Sequence, residues 1–185
     1  MKLGVFGGEF DPPHLGHLSV IRTARDQLGL DRLLVVPTGT PPHRSASETP
    51  AETRLRMAEL AFSREPRVEV SRIELDRGGP SYMVDTLRGL APLGDLFLII
   101  GADQLAVFDR WHESEAIRRL AALVVAPRSP QTIAGGGIVV LDMPPVDLSS
   151  TGVRAQLAAG RAAGGLAPSV QVLIDRERLY DNAPC

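Results

Sequence analysis

The sequence holds a single cysteine, Cys185, at its last position. No internal disulfide framework can form from it, and a reducing compartment suits such a chain. An excess of charge of one sign is missing too: twenty Lys and Arg stand against twenty-two Asp and Glu, a formal charge of -2. No global field therefore draws the protein to nucleic acid or to an acidic membrane, and any anion must be held by local groups. No apolar run approaches membrane-spanning length, and the chain starts on a strand pattern rather than on a charged leader followed by an apolar core. These absences predict a soluble cytoplasmic protein. Two phosphate-binding signatures are absent as well. No G-K-[ST] occurs, which excludes a Walker A loop, and Gly4, Gly7 and Gly8 do not fit G-x-G-x-x-G.

With 185 residues, 44% of them hydrophobic, the chain suffices for one domain with a substantial core. Strand-like runs fall at residues 3–6, 32–36, 68–71, 96–100, 122–126 and 138–141. Helix-like patterns fall at about 17–28, 51–62, 82–90, 102–108 and 113–119. The alternation predicts an α/β fold: a Rossmann-like, doubly wound, mainly parallel sheet with helices on both faces and ligand sites along one edge. Two more helices, about 150–159 and 168–178, the second started by Pro168, are expected to pack on this single domain, residues 1–185. Residues 38–50 and 134–137 read as mobile loops.

Gly7-Gly8-Glu9-Phe10-Asp11-Pro12-Pro13-His14-Leu15-Gly16-His17 joins the first strand to the first helix. Such a junction offers backbone N–H groups to an anion, and His14 and His17, with side-chain-free Gly16 between them, can reach one ligand. We read it as a triphosphate site. A zinc pair is the competing reading of H-x-x-H, but no cysteine or further histidine lies nearby to complete a tetrahedron. Thr38-Gly39-Thr40-Pro41-Pro42-His43-Arg44 follows the second strand onto the same edge, as a stiff loop or a second contact to that ligand. Gly101-Ala102-Asp103 follows the fourth, where Asp103 would hold a ribose hydroxyl or cap a helix. Leu148-Ser149-Ser150-Thr151-Gly152-Val153-Arg154 puts three hydroxyls and a guanidinium at a helix start, either a second phosphate grip or a well-capped helix. Trp111 is a stacking platform or a core residue.

Taken in order, G-G-x-F-D-P-x-H-x-G-H, P-x-x-x-P-P-H, S-Y-x-x-D-T-L, G-A-D, a tryptophan and S-S-T-x-x-R resemble the bacterial nicotinate-nucleotide adenylyltransferases, from Leu3 to Arg154. The first and last motifs belong to the wider H-x-G-H nucleotidyltransferase superfamily, while the middle ones narrow the acceptor. The resemblance implies transfer of AMP from ATP to nicotinate mononucleotide with Mg²⁺ accompanying ATP and no metal ligated by the chain itself. No nucleic acid or membrane partner is implied, and a homo-oligomer is left open. It makes His14, His17 and Arg154 catalytic. Gly7, Gly8, Phe10, Gly16, Gly101, Asp103, Ser149, Ser150 and Thr151 would bind ATP. Thr40, Arg44, Tyr82, Thr86 and Trp111 would bind the mononucleotide, with Arg44 where the family more often has lysine. Met83 departs from the usual threonine, which puts a polar contact there in doubt. Phosphopantetheine adenylyltransferase is the nearest alternative, separated by its acceptor. A non-catalytic nucleotide sensor is the alternative from another class, and it would bind ATP without releasing pyrophosphate.

Overall fold

Six runs rich in Val, Leu and Ile become the strands of one sheet: β1 (Lys2–Gly8), β2 (Arg32–Pro37), β3 (Val68–Val70), β4 (Asp95–Gly101), β5 (Ala121–Ala126) and β6 (Ile138–Val140). The computed structural model describes residues 1–42, 49–127, 137–145 and 147–181. The strand order is β3-β2-β1-β4-β5-β6 and every pairing between these strands is parallel, so the expected mainly parallel sheet is wholly so among the described residues. Successive side chains point to opposite faces, and both faces are apolar. Leu3, Val5, Leu34, Val36, Leu98 and Val125 pack on one side, whereas Phe6, Leu33, Val35, Ile99 and Val124 pack on the other.

Among the described residues eight α-helices accompany the strands: α1 (Leu15–Leu28), α2 (Ala51–Phe62), α3 (Ile73–Arg77), α4 (Met83–Leu90), α5 (Ala102–Leu105), α6 (Ser114–Leu120), α7 (Ser150–Ala158) and α8 (Pro168–Glu177). Helices α4 and α6 cover the first face through Val84, Leu87 and Ile117, while α1 and α2 cover the second through Val20, Ile21, Ala58 and Phe62. Pro168 does begin α8, which seats Val170, Leu173 and Ile174 against Met57 of α2. Gly4 permits one close approach: a Cβ there would lie 2.6 Å from Leu30 Cδ1 and 3.2 Å from Leu33 Cγ.

Three expectations need correction. The run expected as one helix over 102–108 is split, because the chain leaves helical geometry at Val107 and turns Phe108 into the core. Helix α3 carries too few residues to show a period, and the sequence pattern did not announce it. The expected loop 38–50 is pinned over its first residues, where Thr40 bridges to Pro80 and Ser81 N–H donates to the Thr40 carbonyl at 2.9 Å. Residues 43–48 and 134–136, which include Arg44, lie outside the described residues. Among the described residues no helix is long and apolar enough to cross a membrane.

Candidate active site

In a doubly wound sheet the chain reverses direction of growth at one point, and the carboxyl ends of the two strands there open a crevice. Here that point lies between β1 and β4, which are direct neighbours. A cavity of about 550 Å³ occupies it. Gly7 and Gly8 end β1, and Gly101 ends β4. The cavity is lined by these glycines together with Phe10, His14, Gly16, His17, Tyr82, Asp103, Trp111, Ser149, Ser150, Thr151 and Arg154. Two of the residues named from sequence stand apart from it. Arg44 lies outside the described residues, while Thr40 and Thr86 are not on the wall.

The two histidines stand ring on ring, with centroids 3.8 Å apart and planes 26° from parallel. His14 is the N-cap residue of α1, and its main-chain N–H donates to His17 Nδ1 at 3.2 Å. With Nδ1 accepting, a neutral His17 carries its proton on Nε2. Phe10 lies beneath them. It holds φ of 52°, is 2% exposed, and meets Phe6, His17 and Phe62 edge to face, so it supports the imidazoles from below. The first amide of α1 is already engaged, since Leu15 N–H donates to the Gly165 carbonyl at 2.7 Å.

Helix α7 closes the other side of the histidine end of the cavity. Ser149 caps it, accepting from Gly152 N–H at 3.1 Å, while Ser150 Oγ donates to the Pro12 carbonyl at 2.9 Å. Arg154 Nη1 donates to the Asp11 carbonyl at 2.5 Å and lies 3.8 Å from Asp11 Oδ2. The hydroxyls thus divide their work: one caps the helix and another fastens it to the histidine loop. Asp103 is the second residue of α5 rather than its cap, which is Gly101. Asp103 lines the cavity at the end of β4.

The opposite end is aromatic. Trp111 packs on Phe108, centroids 5.3 Å apart, as the core reading expects in part, and the residue also lines the cavity. Tyr82 stacks on His112 with centroids 4.3 Å apart. Arg88 of α4 grips the Glu113 carboxylate at 2.5 and 3.0 Å, fixing the Trp111–His112 turn against Tyr82. Met83 approaches Gly7 so closely that a Cβ on the glycine would lie 2.5 Å from Met83 Cε, an apolar contact where threonine is usual in the family.

Residues unannounced by the sequence organise this frame. Arg54 of α2 is 2% exposed, and among the described residues its guanidinium donates to four carbonyls: Glu9 at 2.8 Å, Thr38 at 2.7 Å, Gly39 at 3.1 Å and Thr49 at 3.2 Å. Its signal was present, for Arg54, Ala58 and Phe62 recur at the spacing of one buried stripe. Glu74 of α3 is 3% exposed and lines the cavity, accepting from Thr86 Oγ1 at 2.8 Å. Thr86 therefore stands behind Glu74, off the cavity wall. Burial pushes the Glu74 carboxyl above its ordinary value, against the opposing pull of Thr86, Ser81, Arg77 and the Gly39 amide.

An all-parallel sheet of this order, with imidazoles, hydroxyls and a guanidinium gathered at its switch point, defines a nucleotide-binding α/β protein of the doubly wound class. The family model described as cytidylyltransferase-like matches residues 5–156. A probable nicotinate-nucleotide adenylyltransferase of Thermus thermophilus is 44% identical over 186 residues, spanning 97% of this chain and 100% of that one. Another, of Albidiferax ferrireducens, is 43% identical over 171 residues, spanning 85% and 86%. Solved structures of the Plasmodium falciparum nicotinic acid mononucleotide adenylyltransferase, complexed with NaAD and with APC, superpose with TM-scores of 0.76 and 0.78 at 16% and 18% identity. They cover 97% of this chain and 97% and 96% of their own, a likeness that establishes the fold. The chain belongs to the cytidylyltransferase-like family and, within it, to the nicotinate-nucleotide adenylyltransferases.

Glu74 gives a pH test. Its folded pKa is raised, so the native state holds the proton more tightly than the unfolded chain, whose carboxyl titrates near about 4.3. The stability it contributes is fully present below that value and is lost as pH rises through the raised folded pKa. Denaturant melts across pH should therefore show Glu74→Gln gaining on the wild type as pH rises. A difference that is flat, or that grows the other way, would contradict the buried, proton-holding carboxyl.

Proposed function

We propose that the protein transfers AMP from ATP to nicotinate mononucleotide, giving deamido-NAD and pyrophosphate in the biosynthesis of NAD. The observation that carries this reading is the continuity of one cavity from the stacked histidines and Arg154 at one end to Tyr82 and Trp111 at the other. The names of the full-length relatives support the acceptor. A cytoplasmic location follows from a substrate pair of this kind and from a chain whose lone cysteine sits at its end.

The reaction needs no nucleophilic side chain. At neutral pH the acceptor phosphate is already an anion, and one of its oxygens attacks the α-phosphorus of ATP. A new P–O bond forms as the bond to the β-phosphate oxygen breaks, and the electron pair leaves with pyrophosphate. Two anions must be aligned and the growing charge on the leaving group must be stabilised. His14, His17 and Arg154 supply donors and positive charge for that purpose, with Gly7, Gly8, Phe10, Gly16, Ser149, Ser150 and Thr151 shaping the phosphate end. Gly101 and Asp103 take the adenosine side. Mg²⁺ fits as a companion of the ATP phosphates, an ion that keeps several waters and takes only one or two carboxylates from a protein. Among the described residues no group of three or more His, Cys, Asp or Glu is placed to cage a metal.

At the acceptor end, Trp111 and Tyr82 offer flat faces to a pyridine ring. Helix α4 starts beside the cavity at Met83 with no side-chain hydrogen bond at its cap, so its leading amides suit a carboxylate. Thr40, Arg44 and Thr86 complete the mononucleotide side, Thr86 by holding Glu74 and Thr40 through its tie to Ser81.

Two measurements test this. Pyrophosphate release from MgATP should favour nicotinate over nicotinamide mononucleotide by about a hundredfold or more in kcat/KM, because an amide NH₂ would oppose an N–H donor. Phosphopantetheine should be inert. Comparable values for the two mononucleotides would contradict the acid-specific site, and ATP binding without any turnover would point to a sensor. Separately, His17→Ala should lower kcat by roughly a hundredfold while KM for ATP changes little, as loss of a transition-state donor does. A rise in KM alone would make His17 a ground-state binder.

A further inference from the structure

Beyond α8 the chain makes a contact that neither packing nor the proposed chemistry requires. Arg178 caps α8 in the left-handed region with φ of 51°, and Tyr180 follows with φ of 66°. Bulky side chains rarely adopt that backbone, and where they do the conformation is held by something worth its strain. Here the two turns bring the Tyr180 ring into the α2–α8 cluster, with its hydroxyl 3.9 Å from Met57 Sδ and in hydrogen-bond reach of Thr49. The hydroxyl then donates to Asp11 Oδ1 at 2.5 Å, across 169 positions of sequence.

Asp11 is 5% exposed and lies in the loop between β1 and the histidines. Its other carboxylate oxygen is the one 3.8 Å from Arg154 Nη1, and its carbonyl accepts from that same nitrogen at 2.5 Å. Tyr180 does not line the cavity, whereas Arg154 does. A phenylalanine would fill the same apolar space without bringing a hydroxyl out of water, so packing alone does not account for the tyrosine. Burial, reinforced by the Asp11 carboxylate, pushes the phenol well above its ordinary range and keeps it a proton donor at every working pH.

We propose that Tyr180 is a positioning residue for the phosphate-transfer site: its hydroxyl fixes the Asp11 carboxylate, and Asp11 in turn fixes the guanidinium of Arg154 where pyrophosphate is held. The inference rests on the proposed reading of Arg154 as a phosphate-binding group. It gives the C-terminal segment a role in the reaction, as the far anchor of a three-residue chain from α8 to α7. Arg54 faces the same carboxylate from α2 and feels its charge, so Asp11 stands between one buried cation and one that meets the substrate.

The test compares the wild type, Tyr180→Phe, Arg154→Lys and the double variant by calorimetric titration with inorganic pyrophosphate, by kcat with MgATP and nicotinate mononucleotide, and by thermal melting. Tyr180→Phe should bind pyrophosphate several-fold more weakly and lose about tenfold in kcat, with KM for the mononucleotide within about twofold and Tm within a few degrees. Asp11→Asn, which keeps an acceptor for the phenol but removes the attraction for Arg154, should show the same pattern. In the Arg154→Lys background the Tyr180 change should add less than about twofold, since residues acting through one another are not additive. Unchanged pyrophosphate affinity and kcat in Tyr180→Phe, losses that multiply in the double variant, or a wild-type protein that binds no pyrophosphate would overturn the proposal. The titration needs no acceptor. Failure of nicotinate mononucleotide to react would therefore count against the proposed function and leave the pyrophosphate comparison decisive for Tyr180.

Discussion

The arrangement of the site depends on a single buried cation. Strands β1 and β2 run side by side, with Gly8 opposite Pro37 and Thr38 N–H donating to the Gly8 carbonyl at 2.8 Å, so the loops that leave them start together. Past that point the ladder ends and nothing regular holds the loops. Arg54 takes over: its planar fork reaches the carbonyls of Glu9 from the first loop and of Thr38, Gly39 and Thr49 from the second. Only a guanidinium offers enough donors in fixed directions to do this, since an ammonium on the same stem is a compact charge with three donors. Burial lowers the Arg54 pKa, while the charges of Asp11 and Glu9 pull the other way. The four carbonyl dipoles do the rest.

From that anchor the two ends of the cavity follow. The first loop carries Phe10, whose ring supports the stacked histidines, and Asp11, which meets Arg154 of α7 and Tyr180 beyond α8. The second loop, at Gly39 and Thr40, hangs on the Ser81 hydroxyl at 3.1 and 3.2 Å, and Ser81 opens the segment leading to Tyr82 and α4. Glu74 joins the same cluster through Ser81 and the Gly39 amide, with Thr86 behind it. The histidine end and the aromatic end are thus built on opposite arms of one connected frame. That suits a reaction whose main demand is the alignment of two anions, in which small displacements are costly.

The sheet was legible because its central strands are runs of apolar and β-branched residues long enough to show themselves, and β1, β2 and β4 turned out buried on both faces as such runs suggest. The glycine turn, the histidine pair and the Ser-Ser-Thr helix start were legible because they combine residue types with special backbone or donor roles in a fixed order. Arg54 and Tyr180 were not, for a shared reason. Their partners are backbone carbonyls or a carboxylate far away in sequence, and such partners leave no local pattern. An arginine in a helix reads as surface, and only its coincidence with the Ala58–Phe62 stripe betrays it. Glu74 escaped because α3 is five residues long, too short for periodicity to speak. Thr86 stood out as part of a connected motif, but its hydroxyl turns inward to Glu74 rather than to the cavity.

The central claim is that one guanidinium holds both ends of the site, and Arg54→Lys tests it most directly. The lysine keeps the charge and the stem but cannot reach four carbonyls. Buried acceptors left without a donor cost about 1–3 kcal/mol each, so Tm should fall clearly. At a temperature where the variant remains folded, the dissociation constant for ATP and the KM for nicotinate mononucleotide should both rise by similar factors of about tenfold, because the loops serving both substrates loosen together. If only one substrate is affected, or if stability falls while both constants stay at wild-type values, Arg54 is a packing residue and the site is held by something else.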